Sequence, residues 1–409
     1  DGCTRSQVLD LTYLINEGDT LTSVCLVTAP GNLWDYNSGI YVLGGNAEEA
    51  FPHKEANYWQ NWEKSASVSL FETDGSLGFS EYCGLKIFGG FSRANNKKSF
   101  ACMFRSKYGQ SSLSYPLFGE DGIDTFQNFV LRAGGQNAYA SKCLDEVITS
   151  LASDYLGLPV QRYRPVVLYL NGAYWGIYFI REKLNDQYVA GNFNTEASDV
   201  TISGWNGNLC PEYVALRTYA RTHDLSDPEC YAYICSQINV ENYMDYIIAQ
   251  MWVANNDLGN VKFFKTSDLP WHWALFDTDL SLIAPNQDTV VLMLKKQNIF
   301  AHDPDSRVII IRLLQNPDFK DAFLRRIAWQ VKTVWNEETV VARIDEFHDM
   351  LEKDMAKESG RWNPSVATWE RYIQKMRDFA ATRNDYFIVH VQRFFKLTDQ
   401  QMRDYGFEV

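Results

Sequence analysis

At 409 residues the chain is long enough for one large two-lobed domain or two to three smaller ones, and its 46% hydrophobic and 14% aromatic content excludes extensive disorder. A formal charge of −13, with Lys and Arg scattered among acids, argues against a nucleic-acid backbone or an anionic membrane surface as the main partner. No run of about 18 apolar residues occurs, so the sequence offers no transmembrane segment.

The chain opens at Asp1 without a Met or an apolar leader, which suggests a protein processed from a longer, exported precursor. Eight cysteines, at positions 3, 25, 83, 102, 143, 210, 230 and 235, form no C-x-x-C pair and no Cys/His metal spacing. Cys25, Cys102 and Cys143 lie in apolar runs and read as small core residues. Cys210 and Cys230 lie in polar stretches where a disulfide is feasible, so the redox compartment stays open.

Residues 20–135 read as β-rich: the runs 21–29, 66–72, 83–88, 99–105 and 126–131 are short, rich in Val, Ile, Phe and Leu, and broken by Gly and Asn. Residues 86–104 look like strand, Gly-containing loop (Gly89, Gly90) and strand. The first convincing helix falls at 139–156, where Leu144, Val147, Ile148, Leu151 and Tyr155 keep helical spacing. Residues 163–182 hold two apolar runs around Asn171-Gly172, the strongest short-range hairpin signal. Beyond it the chain reads as helical, with helices at 238–255 (Asn239 as N-cap), 317–334, 337–357 and 366–395, the last two starting near Asn336 and Ser365. The expected organisation is an extension at 1–19, a β-rich lobe at 20–202 with one long helix, a connecting segment at 203–237, and a helical lobe at 238–409.

One hairpin interrupts the helical half. In residues 255–282, Asp257 and Asn260 occupy a polar loop, 261–264 and 271–276 read as paired strands, and Asp277 and Asp279 close the second strand. Phosphoryl transfer needs an acid to accept the hydroxyl proton, an Asn a few residues on to hold a divalent ion, and a second Asp to bridge that ion to the phosphates. The hairpin supplies these residue types in that order. Singly, each is an ordinary turn or cap residue; a loop held between a buried helix and a hairpin is what raises their combined significance. The element order is that of an atypical protein-kinase-like α+β fold, two-lobed, with a β-rich N-terminal lobe and a mainly helical C-terminal lobe. In that scheme Lys98 reaches phosphates and Asp145 holds it by an ion pair, with Lys183 or Arg132 as alternative cations.

These residues support a resemblance to the spore-coat protein H (CotH) kinase family. It is carried by GNLWDYNSGIYVLGGN (31–46), NYWQNWEKSASVSLFETDGSLGFS (57–80), LKIFGGFSRANNKKSFACMFRSKYG (85–109), YPLFG (115–119), LRAGGQN (131–137) and RPVVLYLNGAYWGIYFIREKLN (164–185). The D-x-x-N and D-x-D segments and ESGRWNPSVATWERYIQKMRDFAATR (358–383) continue it in order. The resemblance implies an atypical kinase that binds ATP with Mg²⁺ or Mn²⁺ and phosphorylates Ser or Thr of a protein substrate, as in spore coats. It looks more like members carried on secreted or surface proteins of bacteria, with room for further domains in a longer precursor. Asp257 matches the catalytic-loop acid, Asn260 a metal-site Asn and Asp279 the metal-binding Asp, with Asp277 a second ligand or a cap. Lys98, Arg132, Asp145 and Glu182 fall on other motif positions of the family.

The chain also departs from the pattern. Asn137 stands where an acid is common, Leu144 precedes Asp145 where an Arg is frequent, and Asn185 replaces a frequent Asp. These losses of charge set a rival reading, a non-catalytic pseudokinase-type binding or scaffold module. A third reading, a carboxylate-pair glycoside hydrolase with sugar-stacking aromatics, is weaker, because most aromatics sit in apolar periodic runs that mark them as core.

Overall fold

The computed structural model describes residues 12–15, 17–119, 122–204, 209–295 and 307–408. Cys3 and most of the 1–19 extension lie outside the described residues. The chain is α+β, with a strand-rich N-terminal region. It divides into two compact units that do not follow a single cut in sequence: the first comprises 1–142, 162–183 and 350–368, the second 143–161, 184–349 and 369–409. The division therefore differs from the linear lobes expected above, most clearly at the helix after residue 143 and at 350–368, each of which groups with the more distant part of the chain.

The first unit is built on β1 (Thr22–Val27), a short helix α1 (Pro30–Trp34), β2 (Lys64–Phe71), β3 (Leu77–Phe88), β4 (Ser99–Met103), a two-residue pair β5 (Leu113–Ser114) and β6 (Thr125–Phe126), β7 (Asn128–Arg132), β8 (Tyr163–Leu170) and β9 (Ala173–Arg181). Seven strands close a barrel in the order β1-β2-β3-β4-β7-β9-β8. All neighbours are antiparallel except β1 and β8, whose parallel pairing (Val24 opposite Leu168) completes the ring and removes a free edge. Period-two alternation selects the filling: Ala66, Val68 and Leu70 of β2 join Leu85, Phe100, Phe129, Leu168 and Tyr178 in one buried cluster. Each fully buried Leu or Phe contributes about 1.5–3 kcal/mol. The β8–β9 turn is the expected one: Asn171 and Gly172 both have positive φ, 49° and 78°, and Asn171 Oδ1 also accepts the Thr28 N–H at 2.8 Å.

The second unit contains α2 (Leu144–Leu156), α3 (Asp186–Phe193), β10 (Thr201–Ser203), α4 (Pro211–Thr222), α5 (Pro228–Gln237), α6 (Val240–Trp252), β11 (Lys262–Lys265), β12 (His272–Ala274), α7 (Thr289–Leu294), α8 (Val308–Leu313), α9 (Pro317–Thr333), the residues up to 349 of α10 (Glu337–Arg361), α11 (Val366–Phe395) from 369 onward and α12 (Asp399–Tyr405). Within the segment expected to connect the lobes, 203–237, residues 211–222 and 228–237 fold as α4 and α5. The hairpin strands β11 and β12 pair as expected, and β10 adds to β11. Helix α6 is buried at every residue from Asn242 to Trp252, which places it in the interior of its unit. Its one buried acid, Asp245, takes a two-pronged bond from Arg326 at 2.6 and 2.7 Å and a third from Gln330 at 2.6 Å. All seven described cysteines are free thiols, Cys210 and Cys230 among them, so the disulfide considered between those two is not formed. Among the described residues no helix is long and apolar enough to cross a membrane.

Candidate functional site

Helix α6 starts at the expected cap: Asn239 accepts the N–H of Asn242 at 3.0 Å. It ends at Trp252, and Ala254, with φ of 53°, turns the chain out of the helix. Asn255, 2% exposed, then steadies the loop, donating to Gln250 Oε1 at 2.9 Å and accepting the Asp257 N–H at 2.9 Å. Two backbone bonds stitch this loop to the segment beyond the hairpin, Asn256 N–H to Leu280 O at 3.2 Å and Leu282 N–H to Val253 O at 2.9 Å. Residues far apart in sequence are thereby brought side by side.

At the centre, Nδ2 of Asn260 donates to Asp257 Oδ2 at 2.9 Å and to Asp277 Oδ2 at 2.8 Å. All three residues are half-buried. Asp277 does not end a strand, because β12 stops at Ala274; it sits in the left-handed region at φ 55°. Asp tolerates that conformation better than most residues, and the turn swings its carboxylate to Asn260. The following residue is anchored: Thr278 N–H and Oγ1 both donate to Asp145 Oδ1 at 2.7 Å. Asp145 (1% exposed) and Thr278 (0%) are both enclosed. Asp145 lies in the first turn of α2, where the positive end of the helix dipole favours a carboxylate. Asp279 is buried as well.

This donor set suits a hard divalent cation. Carboxylates and an amide supply only oxygen ligands, with no thiolate or imidazole to select a softer metal. The amide N–H₂ of Asn260 now gathers the two carboxylates to which a cation would otherwise be drawn. Turning that amide about its terminal bond presents Oδ1 in place of Nδ2.

The remaining sequence-derived candidates lie in the first unit. Gly89 (φ 115°) and Gly90 form the bend between β3 and β4, and Arg93 Nε donates to Gly89 O at 2.6 Å, fixing it. The Lys98 ammonium donates to Arg93 O at 2.6 Å and Asn95 O at 2.8 Å and lies 3.9 Å from the Tyr58 ring centroid. Burial lowers its pKa to about 7. Of the two groups expected to form an ion pair, Lys98 is thus held by carbonyls of its own loop and Asp145 accepts from Thr278 within its own unit. Arg132 ends β7, opposite Phe179 of β9. Glu182 is buried and accepts the Arg162 N–H at 2.9 Å, while Lys183 next to it is half-buried.

A more heavily charged cluster in this unit escaped the sequence analysis. Glu358 Oε1 accepts from Lys97 Nζ and Lys142 Nζ, both at 2.7 Å, and Oε2 accepts the Ile177 N–H at 2.7 Å. Side-chain exposure is 0% for Lys97 and Glu358 and 3% for Lys142. Gly176, at φ 111°, is required here, because a Cβ would collide with the Glu358 carboxylate. Burial pushes the Glu358 pKa up, but the two ammoniums outweigh it and hold the carboxyl below its usual range. The Lys97-Lys98 dipeptide was the available signal, and the sequence alone does not say that both are buried or which of them meets Glu358.

The family model described as CotH kinase protein matches residues 85–210 and 211–387, well over half of the chain. No curated protein matches it.

Proposed function

This chain belongs to the CotH kinase protein family, and from that premise we propose that it is a phosphotransferase moving the γ-phosphate of ATP to a Ser or Thr hydroxyl of an exported or surface protein. The observation that carries the reading is the junction of Asp257 and Asp277 on one Asn260 amide, which gathers the expected acid, amide and second acid at one point. Asp257, on the loop leaving α6, orients the acceptor hydroxyl and takes its proton. Asn260, Asp277 and Asp279 are the residues that would hold Mg²⁺ or Mn²⁺. When bound, the cation offsets charge on the β- and γ-phosphates. Asp145 and Thr278 keep Asp277 and Asp279 in place on either side of a fixed residue, so catalysis is mainly positioning and electrostatics.

The pseudokinase reading draws on Asn137, Leu144 and Asn185. Asn185 weakens it, since its side chain caps α3 by accepting the Tyr188 N–H at 3.1 Å, a task Asn performs as well as Asp. The deciding measurement pairs melting in Mg·ATP and Mn·ATP with label transfer from γ- and α-labelled ATP to the protein itself and to a casein-type acceptor. A kinase melts higher with nucleotide and transfers only the γ-label. Raised melting with no transfer to several acceptors favours the scaffold, α-label transfer indicates a nucleotidyl transferase, and unchanged melting removes the nucleotide reading altogether.

A further inference from the structure

Arg383 lies in α11, within the C-terminal stretch that the proposed roles leave unused. Its side chain is fully buried, and among the described residues no carboxylate lies within ion-pair distance of its guanidinium. The whole donor fork is nevertheless engaged. Nε donates to Trp252 O at 2.8 Å, Nη1 to Pro285 O at 2.6 Å and Gln287 O at 2.9 Å, and Nη2 to Met251 O at 2.8 Å and Thr289 Oγ1 at 2.6 Å. A guanidinium has five N–H donors, and here there are five acceptors. Phe379 and Phe387 lie 5.7 and 5.1 Å from its centre.

The identity of the acceptors is the informative part. Met251 and Trp252 lie in the last turn of α6, at the negative end of the helix dipole, and Met251 O also accepts the Ala254 N–H at 3.3 Å. The loop bearing Asp257 and Asn260 leaves from that turn. Pro285, Gln287 and Thr289 belong to the strand of chain that follows Asp277 and Asp279, and Thr289 Oγ1 itself donates to Met251 O at 2.6 Å. One planar cation therefore clamps the root of one site segment to the exit of the other, on the far side of the stitching bonds at Asn256 and Leu282.

We propose that Arg383 is a positioning residue that sets the spacing of Asp257 and Asn260 against Asp277 and Asp279. Resting as it does on the phosphotransfer reading, the proposal needs a readout apart from transfer. Lys keeps the charge but has a single nitrogen, which can keep at most the Met251 and Thr289 bonds that Nη2 makes and loses those to Trp252, Pro285 and Gln287.

The test titrates Mn²⁺ alone, by its electron paramagnetic resonance signal, into the wild-type protein, Arg383→Lys, Thr289→Val and Thr289→Ser, with circular dichroism melting of each. The expected result is a Mn²⁺ dissociation constant raised on the order of tenfold in Arg383→Lys, with kcat down about 100-fold where transfer is measured. Thr289→Val falls between, and Thr289→Ser, which keeps the hydroxyl, matches wild type. A cooperatively folded Arg383→Lys that binds Mn²⁺ as wild type does overturns the proposal and leaves Arg383 a stabilising residue. If Arg383→Lys does not fold, the Thr289 pair decides: equal Mn²⁺ affinity in the Val and Ser variants overturns it, and weaker binding by Val alone upholds it. A wild-type protein that binds neither Mn²⁺ nor Mg·ATP refutes the functional reading, and this inference with it.

Discussion

In the first unit the Glu358 carboxylate is sealed from solvent and accepts three N–H groups, two of them from ammoniums. In the second unit the Asp257 and Asp277 carboxylates are half-buried and both accept from the Asn260 amide. Saturated buried charge is costly to disturb and has no access to a ligand, so its work is to hold chain segments together. It ties 350–368 into the first unit, helped by Asp354 accepting the Thr20 N–H at 3.2 Å and by Trp362 Nε1 donating to Trp175 O at 2.7 Å. Two half-buried acids that meet at one amide are where the proposed function puts a cation and a hydroxyl. The comparison separates residues that maintain a unit from residues suited to act on a ligand.

The largest effect expected from breaking this distinction is at Asp257. Asp257→Asn keeps the size and one acceptor of the side chain but removes its basicity. Transfer of the γ-phosphate should fall by about 10²- to 10⁴-fold, with ATP affinity and melting temperature close to wild type. Parallel isothermal titration with ATP and label incorporation test the split. Equal incorporation by variant and wild type would remove Asp257 from the chemistry.

Glu358→Gln should behave in the opposite way. It leaves Lys97 and Lys142 facing a neutral amide in a closed environment, at a cost of about 3–5 kcal/mol, read as a fall in the urea midpoint. The metal affinity of the folded protein should be unchanged. A variant as stable as wild type would show that the two ammoniums are not held by the Glu358 charge.

Asn260→Asp sharpens the same comparison from the side of the site. Three carboxylates then meet without the N–H₂ that now separates two of them, so like-charge repulsion should lower metal-free stability by roughly 1 kcal/mol. Added Mn²⁺ should recover more melting temperature in this variant than in wild type. If both shift equally with Mn²⁺, Asn260 does not stand between the acids when the cation binds.

Much of this was legible in the sequence where the governing forces are local. Asn171-Gly172 fixed a hairpin because the turn demands positive φ at both positions, and Asn239 marked the start of α6 because an N-cap acts within its own turn. The spacing of α9, α10 and α11 was readable for the same reason. Other features depend on partners remote in sequence. The barrel closes by pairing β1 with β8, some 140 residues apart, and Lys97 finds Glu358 at a separation of 261. Helix α4 was readable in principle, since Tyr213, Leu216 and Ala220 are buried on one face, yet the surrounding polar residues masked it. At the site, Asp257, Asn260 and Asp277 came from motif order. Their anchors did not: Thr278 and Arg383 act through bonds to Asp145 and to α6 that no spacing rule announces.

The smallest expected effect concerns a charge cluster intermediate between those two. His348 of α10 stacks on Trp369 of α11, ring centroids 5.0 Å apart and 7° from parallel. Its ring nitrogens lie 3.1 Å from Asp349 Oδ1 and 3.1 Å from Glu370 Oε1. Burial opposes protonation, but the bonds to the two carboxylates outweigh it and raise the pKa above the ordinary value. A pKa raised on folding gives stability that is complete below the unfolded value near 6.5 and is lost as pH climbs through the folded value. Wild type should therefore lose stability relative to His348→Gln as pH rises above about 6.5. Because Asp349 is exposed and Glu370 no more than half-buried, the increment should be under about 1 kcal/mol and should shrink in 1 M salt. Urea midpoints of the two proteins measured across that range test it. Parallel curves would mean that the imidazole is held by its stacking on Trp369 alone, and that in the second unit only enclosed charges, such as Asp245 and Arg383, contribute measurably to the fold.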